Sequence, residues 1–412
     1  MLIYQLPSLI KSYSMTIQVR LLGEFITCLT GSAIAPFMIL YQDQIIKNPT
    51  LTMLIIGLQP FADILSTLIG GNITDRFGRK PIMMLALSLQ LFAMVGYLLA
   101  THLWLIAIAN MINGVGRSFY IPASKAQIAD IVEPNRLAEV YGLLNVIATM
   151  GVVISPFCGL LIIHHPRLFF ALSSLGLFIY LLLFRWKVAE SIPSTHLLTS
   201  NHTKMPQPFH WWQLKNIISY MVLALPISFF YAQIESNFPL ILKQSYPKLP
   251  SLMVWLATLH GVAVILIQLA VVKKTARYPS RTVILASYFL FGGVALLYGY
   301  GSSLFLLFGA QFLLATAETL GLMRLQTTLS QIAPLHHRGR AFSIYGMHWD
   351  LSRMIGPLFG SLLIGTKGYP LLFALVALCL FCGGLGQTIF FKKIEATTYH
   401  PSDDRKLPLN ET

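Results

Sequence analysis

The sequence predicts an all-α membrane protein, with twelve transmembrane helices in two parallel six-helix repeats around a central cavity. Three observations predict it. Of the 412 residues, 55% are hydrophobic and only 11% are charged, against the ~25% charged residues usual in a soluble domain. Apolar runs recur at roughly 17–40, 51–72, 81–100, 103–128, 138–163, 168–186, 214–241, 251–273, 282–300, 303–332, 341–365 and 369–391, most of them near the ~20 residues a helix needs to cross the hydrocarbon core. The two halves also resemble one another at a shift of 201 residues.

The connections set the topology. Gly71-Asn-Ile-Thr-Asp75-Arg76-Phe-Gly78-Arg79-Lys80-Pro81 is a short charged turn between the second and third runs. So many charges cannot sit in lipid, so it joins two antiparallel helices at a membrane face. Twenty Lys and Arg fall on the side of this turn and five on the other, which makes that side, and both termini, cytoplasmic. The net charge of +14 is thereby read as topology, and no nucleic-acid partner is expected. The polar, proline-bearing stretch between the sixth and seventh runs divides the chain into an N-terminal six-helix bundle (1–186), a cytoplasmic linker (187–214), a C-terminal bundle (215–391) and a cytoplasmic tail (392–412). Met15 opens the stretch that runs into the first span and is read as an alternative start. Cys28, Cys158, Cys379 and Cys382 all lie in apolar runs, so neither a disulfide framework nor a metal pair is expected.

The repeat is visible at two distant sites. Thr74-Asp-Arg76-Phe-Gly-Arg-Lys80 aligns with Thr275-Ala-Arg277-Tyr-Pro-Ser-Arg281, and Ser155-Pro156-Phe-Cys-Gly159 with Gly356-Pro357-Leu-Phe-Gly360. One offset at both sites points to duplication of a six-helix unit. Repeats of this kind place a substrate site near the midplane, between halves that move against each other.

Twelve spans, the six-plus-six repeat, the long central connection and Gly-x-x-x-Asp-Arg-x-Gly-Arg-Lys after the second span together resemble the major facilitator superfamily. The resemblance covers essentially the whole chain. In the fifth span, Gly151-x-x-x-Ser155-Pro156-x-x-Gly159 is similar to the glycine-proline motif of that superfamily's proton-coupled exporters, with serine in place of one glycine. The resemblance implies the twelve-span drug:proton antiporter group. It also implies a conformational latch in which Gly71, Asp75, Arg76, Gly78 and Arg79 engage helix ends near Glu139 and Arg340. One departure stands out. The fourth-span arginine usual in that group is replaced by Asn110, while Arg117 follows two turns on, on the same face.

Ionisable groups within spans are costly and so are candidates for function. Glu24 in the first span resembles a buried glutamate of multidrug facilitators; it either titrates and contacts cationic substrate or pairs with Arg20 one turn earlier. Glu318 in the tenth span is the repeat mate of Arg117. The two can pair in one state and part in another with protonation of Glu318 as the trigger, or Glu318 can pair with Arg324. Asp63 shares a face with Gln59 and either lines the cavity or bonds to the eleventh span. His348, Asp350 and Arg353 cluster on that span, where Asp350 and Arg353 are spaced to neutralise each other. Glu235 is expected near the outer end of the seventh span, in solvent. Phe119, Tyr120, Phe230 and Tyr231 are the aromatic candidates for a cation's contact.

No P-loop, metal-spaced cluster or nucleophile elbow is present in the sequence, which argues against an enzyme or ATP-driven pump. No cofactor is expected. The expectation is a cell-membrane, monomeric secondary transporter, with small molecules, protons and the lipid bilayer as partners. It would export lipophilic, often cationic, compounds against protons. The alternatives are a facilitator for a sugar or other metabolite, lined by residues such as Asn110, Asn145 and Gln233, and a non-transporting membrane sensor.

Overall fold

The computed structural model describes residues 13–70, 77–133, 136–190, 211–246, 249–275, 277–301, 303–332 and 338–398, and these hold helices without a strand. In chain order the helices are α1 (Met15–Ile46), α2 (Pro49–Gly70), α3 (Arg79–Leu98), α4 (Leu103–Ile131), α5 (Leu137–His164), α6 (Pro166–Lys187), α7 (Trp211–Glu235), α8 (Asn237–Ser245), α9 (Leu249–Thr275), α10 (Ser280–Tyr300), α11 (Leu304–Ile332), α12 (Arg338–Lys367) and α13 (Tyr369–Thr398). Each of the twelve apolar runs falls on this series, and the seventh is split into α7 and α8. The split falls at Ser236 (φ −119°, ψ −71°), whose hydroxyl bonds back to the Ala232 carbonyl at 2.5 Å. Serine competes with the helix for backbone groups and so suits a break.

Among the described residues, ten helical segments are long and apolar enough to cross a membrane. Helices α4 and α12 are not among them. Both are rich in polar and charged residues: α4 carries Asn110, Asn113, Arg117, Lys125 and Asp130, and α12 carries His348, Asp350, Ser352 and Arg353. Polar residues at that depth need partners inside the protein, and these two helices are where partners are found.

The chain divides into two units. The first comprises Met1–Pro208, Ser228–Val262 and Gly346–Leu372; the second comprises Phe209–Ile227, Ala263–Tyr345 and Phe373–Thr412. In the first, the Phe170 ring packs at 5.4 Å from Tyr41, 5.3 Å from Tyr97 and 5.3 Å from Phe169. The glycines of the fifth-span motif explain its spacing. A Cβ at Gly151 would stand 3.0 Å from the Leu29 nitrogen and 3.1 Å from the Phe25 carbonyl, and one at Gly159 would strike the Phe37 ring, so α5 lies close along α1. Ser155 and Pro156 fill the same buried stripe, with the Ser155 hydroxyl donating to the Val152 carbonyl at 2.7 Å. In the second unit, Tyr220 stacks on Tyr345 at 5.4 Å and on Phe390 at 5.7 Å, and the Tyr288 hydroxyl donates to the Leu223 carbonyl at 2.7 Å.

Each unit holds a copy of one polar rung. The Tyr97 hydroxyl donates to Asn110 Oδ1 at 2.7 Å between α3 and α4, and Gln311 Nε2 donates to the Tyr298 hydroxyl at 2.8 Å between α10 and α11. The positions are related by the shift of 201 that aligns the two halves.

Candidate functional site

The site is organised by α2. Helix α4 lies against one side of it, where a Cβ at Gly114 would strike the Gln59 carbonyl and Thr67 and Ser118 share a hydrogen bond of 2.9 Å. Helix α12 lies close as well, since a Cβ at Gly57 would stand 2.8 Å from the Met354 carbonyl oxygen. Asp63 falls between these contacts. It is 7% exposed and makes no hydrogen bond or ion pair among the described residues. Three groups act on it through space: Arg117 from α4, and Asp350 and Arg353 from α12. Asp350 in turn feels Arg117 and Arg353. The second, fourth and eleventh spans thus bring Asp63, Arg117 and Asp350 within electrostatic reach of one another.

Arg353 is engaged elsewhere. It forms a two-pronged pair with Glu235 on α7, Nε to Oε2 at 2.9 Å and Nη2 to Oε1 at 2.8 Å. This corrects the expected Asp350–Arg353 pair and the expected solvation of Glu235. A long side chain reaches a neighbouring helix as readily as the next turn of its own, and the planar fork matches a carboxylate squarely. The pair is one rung of a polar ladder between α7–α8 and α12. Ser228 and Ser352 share a bond of 2.8 Å, Gln233 Nε2 donates to the Gly356 carbonyl at 2.9 Å, and Asn237 Nδ2 donates to the Pro357 carbonyl at 3.0 Å. The amides of Gln233 and Asn237 occupy the space a Cβ at Gly360 would need. Trp349 extends the site: its ring is 5.3 Å from Tyr231 and 5.2 Å from His348, and the Arg353 guanidinium carbon is 5.7 Å from its centroid.

The other sequence candidates are placed differently. Asn110 is a packing rung: besides accepting from Tyr97 it donates from Nδ2 to the Ile55 carbonyl at 2.9 Å and accepts from Gln42 at 3.3 Å. Arg20 does not pair with Glu24. It is 1% exposed and donates to the Tyr120 hydroxyl at 2.6 Å, the Tyr180 hydroxyl at 2.9 Å and Ser124. Glu24 is half-buried one turn on, with the Cys28 thiol 3.6 Å from Oε1. Glu318 lies half-buried on α11, in the second unit, and the Arg324 guanidinium donates to the Thr275 carbonyl at 2.9 Å. Of the aromatic candidates, Tyr120 and Phe230 are buried and Phe119 and Tyr231 half-buried.

At the charged turn, Gly71, Asp75 and Arg76, and the side chain of Arg340, lie outside the described residues. Gly78 has φ +90° and ψ 160° as it enters α3, a conformation that a side chain opposes. Arg79 Nε donates to Asp130 at the foot of α4 at 3.3 Å, both side chains being nearly buried. Glu190, beyond α6, accepts from the Lys80 backbone N–H at 3.2 Å, placing a carboxylate on the N-terminus of α3. Glu139 lies at 3.6 Å from Arg136 on its own helix start. Asp130, Glu190 and the Glu235–Arg353 pair were not singled out from sequence. Asp130 and Glu190 lie just past the ends of apolar runs, and the sequence marks Glu235 and Arg353 individually but not as partners.

No cluster of three or more metal-binding side chains occurs among the described residues. The arrangement holds two carboxyls and two guanidiniums in a low-dielectric setting.

Comparison with known proteins agrees with this architecture. The profile of the Major Facilitator Superfamily matches residues 20–252 and 249–410. The chain is 37% identical over 389 residues to the MFS-type transporter YhjO of Bacillus subtilis, covering 94% of this chain and 96% of that one. It is 25% identical to a Na(+), Li(+), K(+)/H(+) antiporter of Planococcus maritimus, covering 85% and 89%, and 24% identical to multidrug resistance protein 2 of Bacillus subtilis, covering 81% and 84%. A crystal structure of a POT family transporter in complex with a thioalcohol-conjugated peptide superposes with a TM-score of 0.76 at 14% identity, covering 93% of this chain and 99% of that one, which bears on the fold alone. A multi-pass helical chain matched along nearly its whole length by one family profile is a member of that family: this protein belongs to the Major Facilitator Superfamily of transporters.

Proposed function

We propose that this transporter is a proton-coupled exporter of lipophilic, often cationic, compounds, working by alternating access in the cell membrane with both termini in the cytoplasm. The observation that carries the reading is Asp63, a carboxyl more than nine-tenths buried, without a hydrogen bond among the described residues, within electrostatic reach of Arg117, Asp350 and Arg353. A carboxylate in that setting is stabilised by gaining a positive charge, and a proton and a cationic substrate compete for the same place. Alternate loading by the two is the minimal requirement for antiport. The names of the relatives support both halves of this reading, one as a cation/proton antiporter and one as a multidrug resistance protein. In this reading Glu24 and Glu318 remain candidate contacts for substrate and proton. The halves 1–186 and 215–391 move about the linker, Asp75 and Arg79 belong to the latch, and the monomer is the working unit.

A second reading, alkali-cation/proton exchange, is favoured by the first of those relatives and would use the same carboxyls. One experiment separates them. Purified protein in proteoliposomes is given an inward-directed proton gradient, and uptake or release of ethidium, sodium and a neutral sugar is followed for wild type, Asp63→Asn and Glu318→Gln. Ethidium movement that follows the gradient in wild type and is lost in Asp63→Asn is expected. Gradient-driven sodium movement without ethidium would select the second reading, and sugar movement indifferent to Asp63→Asn would overturn both.

A further inference from the structure

Arg353 has two carboxylates within its compass. Asp350 stands three residues earlier on α12, the spacing that ordinarily favours a pair on one helix. Glu235 stands across on α7. The guanidinium takes Glu235, through two hydrogen bonds of 2.9 and 2.8 Å. The ladder around it fixes the choice. Ser228–Ser352 on one side and the Gln233 and Asn237 amides on the other hold α7 and α12 in register, so Glu235 cannot drift from Arg353 without breaking neighbouring bonds.

The consequence is a matter of charge. The ionisable groups that meet here are Asp63 on α2, Arg117 on α4, Glu235 on α7, and His348, Asp350 and Arg353 on α12. Three carboxylates face two guanidiniums, and a histidine in its ordinary range is neutral at pH 7. The group therefore carries one surplus negative charge. Because the hydrogen bonds of Arg353 go to Glu235 and it reaches Asp63 and Asp350 only through space, that surplus resides mainly on Asp63 and Asp350, which share Arg117.

We infer that the Glu235–Arg353 pair is a positioning device for the exchange site: by taking up the hydrogen bonds of Arg353 it keeps Asp350 from a direct ion pair and leaves one surplus negative charge at Asp63 and Asp350, which one proton or one singly charged cation fills in turn. This rests on the antiport reading above and deepens it. The substrate class becomes singly charged cations, and the exchange is one proton for one cation, without net charge movement.

The test uses purified full-length protein in proteoliposomes, with ethidium as the probe and a matched arm with sodium. Glu235→Gln frees Arg353 to turn to Asp350 and cancels the surplus. Arg353→Gln leaves two surplus charges. Each is expected to slow gradient-driven exchange by about tenfold or more, the scale of a lost, partly buried charge partner. The double variant Glu235→Gln/Arg353→Gln restores a single surplus and is expected to recover exchange to within about threefold of wild type, since a neutral pair replaces a charged one. A pair that served only to tether α7 to α12 would leave the double variant as poor as the singles, and that result overturns the inference. Wild type gives a measurement independent of folding. Potentials of either sign, imposed with a potassium gradient and valinomycin, are expected to change the ethidium–proton exchange rate by less than about twofold, whereas an exchange moving one net charge would respond at ~2.3 kcal/mol per 100 mV. A strong response to potential overturns the inference and leaves the antiport reading standing. Absence of any gradient-driven cation movement in wild type removes the antiport reading itself.

Discussion

The close approach of α2 and α12 at Gly57 can be turned into a measured shift between states. A Cβ at position 57 would stand 2.8 Å from the Met354 carbonyl oxygen, where ordinary carbon–oxygen contacts lie at about 3.3–3.6 Å. Gly57→Ala therefore forces the helices apart by roughly half an ångström, and Gly57→Val adds two methyl groups to the same gap. Overpacking of this kind costs about 1–3 kcal/mol, and it is charged only to the conformation in which the two helices touch. Every 1.4 kcal/mol is about tenfold in population, so the valine variant is expected to shift the balance of states by about five- to 150-fold. Val254 on α9 supplies the reporter. It is 4% exposed and sits in the same buried cluster as Phe37, Met38 and Ile162, so it is reached by reagents only when that packing opens. With Cys28, Cys158, Cys379 and Cys382 replaced by serine, a cysteine introduced by Val254→Cys should react with a maleimide at least about fivefold faster in the Gly57→Val background. A folded Gly57→Val protein with an unchanged labelling rate would refute the reasoning, because the α2–α12 contact would then not discriminate between states.

Two further outcomes rest on packing alone. Asn110→Ala leaves the buried Tyr97 hydroxyl without its acceptor and should cost about 1–3 kcal/mol, seen as a lower thermal midpoint in detergent. Gln311→Ala removes the amide that donates to the Tyr298 hydroxyl and should lower the midpoint as well, and a null effect in both would show that the repeated rung is not a stabilising element. Gly78→Ala puts a side chain into a backbone region that costs about 1–3 kcal/mol and presses it against Glu190, whose Oε1 would lie 2.9 Å from the new Cβ. Gly142→Ala is the control, since a Cβ there would meet nothing within 4 Å; equal midpoints for the two would show that the turn tolerates ordinary backbone.

The features legible in the sequence were those that chain periodicity and composition dictate. The twelve apolar runs were legible because a helix must satisfy its own backbone in lipid, and that demand leaves runs of fixed length. Gly151, Ser155, Pro156 and Gly159 were legible as a packing stripe for the same reason: small residues at helical spacing have one physical use there. The break at Ser236 was not, because serine within an apolar run breaks a helix only when neighbours such as Gln233 and Asn237 have bonds to make elsewhere, here to Gly356 and Pro357. Partner choice was the least legible of all. Arg353 beside Asp350, and Arg20 beside Glu24, both have the spacing of a same-helix pair, and both guanidiniums go to other helices instead. Within a bundle, the distance between neighbouring helices is comparable to the reach of an arginine, so spacing along one helix carries little weight against a better-shaped partner across the groove.

The same consideration explains why α2 rather than α12 is the organising element. One helix carries Gly57 against Met354, Asp63 within electrostatic reach of Arg117, Asp350 and Arg353, and Thr67 bonded to Ser118, and it leads directly into the charged turn that continues to Arg79 and its partner Asp130. From Gly57 to Thr67 is ten residues, about 15 Å of helix. Pro60 lies within that length, and a proline there removes one backbone bond and permits a bend between the close contact and the carboxyl. Neutralising Asp63 changes the force between α2 and both neighbours at once, because α4 presents Arg117 and α12 presents Asp350 and Arg353 to the same side chain. Loss of the negative charge weakens the attraction to the two guanidiniums and relieves the repulsion from Asp350. In the exchange proposed above, a proton and a monovalent cation produce the same change of charge at this point, but only the cation brings bulk. In that proposal, a helix free to bend between its charged and its close-packed segments can respond to the two ligands differently, and exchange between opposite faces of a membrane requires that difference.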